Sequence, residues 1–139
     1  MTRILCFLSM RHILAIAWVL AASQAQACLF ARDAQPKDWM EWATVLLAAD
    51  VTAIEEDKGT DTVKLGVRET FKGAPAAATA TLQVPSRMWA SCRLQRPAVG
   101  AHVLVAINAN SDALLVPLTS QYADRLRAAQ QSAPAPTTK

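Results

Sequence analysis

Few side chains in this 139-residue sequence could do chemistry: Cys6, Cys28 and Cys92, His12 and His102, and the carboxylates of Glu55-Glu56-Asp57-Lys58-Gly59-Thr60-Asp61. Cys28 follows Ala25-Gln26-Ala27, and ahead of that lie Arg11, His12 and an apolar run at 13–20. A positive start, a short apolar segment and an Ala-x-Ala end form the pattern of a secretory signal peptide. Cleavage after Ala27 would make Cys28 the first residue, with a free α-amino group beside its sulfur. Cys6 leaves with the leader, and two cysteines in an oxidising compartment read as one disulfide, Cys28 to Cys92. Such a bridge closes a loop of about 65 residues and contributes about 4 kcal/mol in the chain-entropy account. A free or a lipid-modified Cys28 are the competing states, although Ala25-Gln26-Ala27 lacks the Leu usual three positions before an acylated cysteine.

The other candidates read as structural. His102 is a lone histidine near a strand start, with no second His, Asp or Cys at ligand spacing. Glu55, Glu56 and Asp57 sit in a charged hairpin tip without the oxygen-ligand spacing of a calcium loop. Arg87, Arg93 and Arg96 make a basic, solvated connection. No Ser-His-Asp or Cys-His set, phosphate-binding glycine loop or metal-ligand cluster is present, so the sequence reads as a non-enzyme with no cofactor and no intrinsic metal. Arg3 and Arg11 leave with the leader while every acidic residue stays, which takes the formal charge from +3 to +1. That balance gives no electrostatic case for nucleic acid. The run at 13–20 is too short for a comfortable membrane span, so no membrane attachment is expected after cleavage unless Cys28 is lipidated. Met10-Arg11-His12 offers an alternative start that leaves the same mature product. The expected location is outside the cytoplasm, in a periplasm or the extracellular space.

The elements that must position these residues are mostly strands. Val45, Leu47, Ala49, Val51 and Ala53 share one face of a first strand, with Asp50 and Thr52 opposite, although 46–49 has helical composition too. In the second strand Val63, Leu65, Val67 and Phe71 alternate with Lys64, Gly66, Arg68 and Thr70. A third runs over 79–84 with Ala80, Leu82 and Val84 on one face, and a long connection carries Cys92. The segment 100–107 is the most hydrophobic and reads as the central strand, with a last strand at 113–118. Asp38 is placed to cap a short turn through Trp39 and Trp42, whose indoles read as a lid over one end of the core. Residues 121–132 have helical composition, and the Pro- and Ala-rich tail 133–139 reads as disordered. The expected layout is a signal peptide at 1–27, a domain at 28–120, a helix at 121–132 and the tail. Five short strands and a C-terminal helix predict a mostly β fold, a five-stranded antiparallel OB-type barrel closed or nearly closed.

The order of these pieces resembles the netrin-like family that includes the tissue inhibitors of metalloproteinases. The matching residues are Cys28, Asp50-Val51-Thr52-Ala53-Ile54, Val67-Arg68-Glu69-Thr70-Phe71-Lys72-Gly73, and Cys92 followed by 97–105. The resemblance covers most of 28–118, and the spacing of Cys28 and Cys92 is similar to that of the family's first disulfide. It implies an OB-type barrel and, in the inhibitors, an N-terminal cysteine whose amine and carbonyl chelate a protease's catalytic zinc. Carried over, Cys28 would chelate, Leu29 would enter the specificity pocket, and Cys28, Leu29 and Phe30 would contact the protease. Phe30 stands where the inhibitors carry a second cysteine, and their further disulfides are missing. The sequence therefore reads first as an exported, non-catalytic interaction module with a protein partner. A metalloprotease inhibitor and a Cys28-acylated lipoprotein are the alternatives.

Overall fold

The computed structural model describes residues 33–73 and 77–133, which all but Asp33 fall in the unit Ala34–Lys139. The segment 1–27, Cys28, Leu29, Phe30 and the tail beyond Ala133 lie outside the described residues. The elements in chain order are α1 (Pro36–Trp42), β1 (Val45–Asp57), β2 (Thr60–Lys72), β3 (Thr79–Pro85), α2 (Arg87–Ser91), β4 (His102–Ile107), β5 (Ala113–Pro117) and α3 (Ser120–Ser132). The fold is mostly β, one antiparallel sheet in the order β3-β2-β1-β4-β5 with a helix following it.

The sheet grows from one long hairpin. Lys58 (φ 49°) and Gly59 (φ 78°) both take positive φ, the two-residue turn whose twist matches its flanking strands. Asp57 pairs with Thr60 directly beneath it, so the charged tip is shorter than its composition suggests. The centre of the sheet is β1, not the more hydrophobic β4. β1 bonds to β2 along its whole length and to β4 along 45–50, while β3 flanks β2 opposite 50–57. The two outer additions therefore sit at opposite ends of the hairpin. Among the described residues no pairing joins β3 to β5, so the sheet is not closed, where the sequence predicts a barrel closed or nearly closed.

Both faces of β1 are buried along 46–49, which resolves the ambiguity of that stretch. On one face Leu47, Ala49 and Val51 join Val63, Leu65, Val84, Val103, Val105, Leu115 and Trp89 in a core. Side chains of this size contribute about 1.5–3 kcal/mol each when fully buried. Val84 and Leu115 come from the two edge strands, so all five strands contribute to this one cluster. Leu46, Ala48, Leu104, Ala106 and Leu114 alternate with those residues and are buried too. Near them α3 packs on β2 and on α1, burying Ala123 and Leu126.

Bulges change two of the expected faces. A register shift between Val51 and Ala53 brings Ile54, not Ala53, against the core cluster. Further shifts at Leu46/Leu47 and Ala48/Ala49 separate Phe71 from Val63, Leu65 and Val67, and Phe71 is buried outside that cluster. Helix α1 begins one turn earlier than the sequence suggests. Pro36 occupies its first turn, and Asp38 sits at the third helical position, where its Oδ2 accepts the Gln35 N–H at 2.7 Å. Trp39 is buried and meets Trp42 edge to face, ring centres 6.1 Å apart. The connection after β3 is no loop throughout: α2 interrupts it and sends Trp89 into the core.

Candidate functional site

Of the residues singled out by sequence, Cys28, Leu29 and Phe30 lie outside the described residues. Cys92 caps the C-terminal end of α2 and is buried. Among the described residues no three His, Cys, Asp or Glu side chains gather where they could hold a metal ion. No helix among them is long and apolar enough to cross a membrane.

His102 is not isolated. The β1–β4 register sets it opposite Asp50, and its Nδ1 meets Asp50 Oδ1. On the other side of β1, Asp50 is paired in register with Gly66. Arg68, skipped by the pairing at the Ala48/Ala49 bulge, reaches across and donates from Nε to Asp50 Oδ2. Three adjacent strands thus each supply one member of an Arg68–Asp50–His102 row. The Asp50 side chain is only 17% exposed, against 69% for Arg68 and 66% for His102. Its Oδ1 is buried and accepts no well-formed hydrogen bond, so the imidazole is the group that faces it. The hydrogen bond from Arg68 holds the Asp50 carboxyl below its ordinary range against some desolvation, and His102 acts in the same direction.

Beside this row lies a second ion pair. Arg127 of α3 grips Glu69 of β2 through Nε (2.8 Å) and Nη2 (2.7 Å), and the Arg127 hydrogen bond lowers the Glu69 pKa. Between the two runs an open groove of about 430 Å³, floored by Ala48 and Ala123 and rimmed by Arg68, His102, Arg127 and Ser120. α3 starts at the groove: Thr119 is its N-cap and accepts the Tyr122 N–H at 3.2 Å.

A third cluster is buried. Asp61, beside the hairpin turn, is fully inaccessible. Trp89 Nε1 donates to its Oδ2 at 2.6 Å, and Arg96 clamps it with Nε to Oδ2 and Nη2 to Oδ1, both at 2.9 Å. Arg96 first, then Trp89, lower its pKa to about 2 despite burial. Asp61 and Arg96 are therefore one structural clamp, not members of a solvated tip and a solvated basic loop.

The sequence hides these clusters because their paired members lie 18 to 58 positions apart, but one signal was available. Folding the chain about Lys58-Gly59 brings Asp50 beside Gly66 and Arg68, while placing His102 next to them needs the β1–β4 pairing. Chemically, a carboxylate-braced imidazole can move a proton, and paired guanidinium and imidazole donors can bind an anion. Among the described residues no hydroxyl donates to His102, and the one on Thr119 is engaged by its own helix. No family model and no curated protein matches the chain.

Proposed function

We propose that the chain is an exported, non-catalytic interaction module built on a partly open barrel of the OB type. The observation that carries this reading is the strand order β3-β2-β1-β4-β5 together with a single core cluster to which all five strands contribute, Val84 from one edge and Leu115 from the other. An OB-type barrel is a five-stranded, partly open sheet that serves as a ligand platform, and fold alone does not choose the ligand. A Cys28–Cys92 bridge is part of the proposal, and the burial of Cys92 is compatible with it. The bridge would fix the first residue of the mature chain against α2.

The test is intact mass of the protein recovered from an export-competent host, before and after reduction, followed by titration against zinc metalloproteases. The expected species is residues 28–139, heavier by two hydrogens after reduction and without inhibitory effect at micromolar concentration. A diacylglycerol increment on Cys28 would replace this reading with a lipoprotein. Stoichiometric inhibition abolished by blocking the α-amine would replace it with a protease inhibitor acting through Cys28, Leu29 and Phe30. An uncleaved chain retained in the cytoplasm would overturn export altogether.

A further inference from the structure

The row of Arg68, Asp50 and His102 has donors to spare. Arg68 uses only Nε on Asp50, which leaves both terminal amino groups of a guanidinium that is 69% exposed. His102 turns Nδ1 to Asp50, which leaves Nε2 for another partner. The carboxylate that braces them is mostly covered, so an incoming anion meets the donors before it meets Asp50. Charged or titratable side chains line the groove from β2 (Arg68 and Glu69), β4 (His102) and α3 (Arg127), and Asp50 of β1 lies behind Arg68 and His102 as their shared partner. Arg127 is shared between Glu69, through a two-point contact, and Asp124 of its own helix at 2.5 Å from Nη1, so it is fully engaged and leaves anion binding to Arg68 and His102. The remaining three carry one negative charge among them, shared between a permanent cation and an imidazole that becomes a second cation on protonation.

We propose that the groove between β1, β2, β4 and the start of α3 binds the oxyanion of a small ligand, a carboxylate or a phosphate, through Arg68 and His102 as oriented by Asp50. A volume of about 430 Å³ suits a small molecule, and small-molecule sites combine apolar walls with a few placed polar groups. Ala48 and Ala123 supply such a floor, and the guanidinium supplies the two-point fork that matches a planar or tetrahedral oxyanion. Because Asp50 already holds both donors, little side-chain freedom is lost on binding. An anion at Nε2 also favours the imidazolium, so binding takes up a proton and the affinity rises as the imidazole protonates. The inference rests on the chain being a binding module, but not on its export or on Cys28.

The experiment is an NMR titration of the purified protein with inorganic phosphate and, separately, with succinate, at constant ionic strength set by chloride. Saturable shifts are expected at the His102 ring and at the Ala48 and Ser120 amides, and the arm that saturates first names the source chemistry. Arg68→Gln weakens binding by roughly tenfold or more, the scale of one charge-assisted contact. His102→Gln removes the strengthening at low pH. Arg87→Gln, which removes a cation on α2 outside the groove, leaves binding unchanged. Linear shifts no larger than those from chloride, or equal losses in R68Q and R87Q, would overturn the site while leaving the interaction-module reading in place.

Discussion

At the level of single residues, Asp61 shows how burial and charge are reconciled. A carboxylate with no access to water survives at the root of a hairpin because three N–H groups from Trp89 and Arg96 reach it. Its folded pKa of about 2 lies below the ordinary aspartate value of 3.8. The sign follows directly: the clamp stabilises the fold fully above the unfolded pKa and loses that contribution as pH falls from about 4 through about 2. With Arg96 half in water, the loss is about 1–2 kcal/mol. Asp50 and Glu69 are also lowered and steepen the same acid limb, so the comparison must be with a variant. Urea unfolding from pH 5 to pH 2 should show a shallower decline in Asp61→Asn than in the parent. Asp61→Ala should cost about 2–3 kcal/mol near neutral pH, because the Trp89 N–H is then left buried and unpaired. A variant that matches the parent at every pH would mean the clamp contributes nothing.

At the level of elements, the hairpin β1–β2 does most of the organising, and its far end is held by Gly73. That residue has φ 95°, and a Cβ there would stand 2.9 Å from the Thr44 carbonyl oxygen. Gly73→Ala is expected to destabilise by about 1–3 kcal/mol, since the strained φ and the backbone clash act together. A thermal melt within a degree of the parent would refute this. The strands themselves were readable in the sequence. Val63, Leu65 and Val67 alternate cleanly with polar neighbours, and the turn chemistry of Lys58-Gly59 is local. Elements that depend on partners were not readable. Residues 87–91 are too few to show a helical period, and only the structure reveals that Trp89 enters the core as a helix. Leu46-Leu47-Ala48-Ala49 look helical because both faces are apolar, and they are so because β1 lies between the inner cluster and a second buried layer. The bulges that turn Ile54 inward and separate Phe71 leave no mark in composition. The candidate site suffered most: Asp50, Arg68 and His102 each look like an ordinary polar position until three strands lie side by side.

At the level of the whole molecule, the proposed Cys28–Cys92 bridge would tie the mature N-terminus to the connection that leads from β3 into β4. Reduction is then expected to lower the unfolding free energy by about 2–5 kcal/mol. Cys92→Ala should start from that lower value and show no further response to reductant. A parent protein indifferent to reductant would show that no bridge supports it. The sheet order adds a consequence for how the chain comes into being. β1 receives its second neighbour only when β4 is made, long after β2 and β3 have paired. Until then the backbone groups of 45–50, in a run of apolar side chains, form a bare template for any other strand. A nascent or truncated chain ending between β3 and β4 is therefore no smaller version of this protein. Its exposed β1 edge is expected to make it prone to aggregate, which light scattering of a chain truncated before β4 would check.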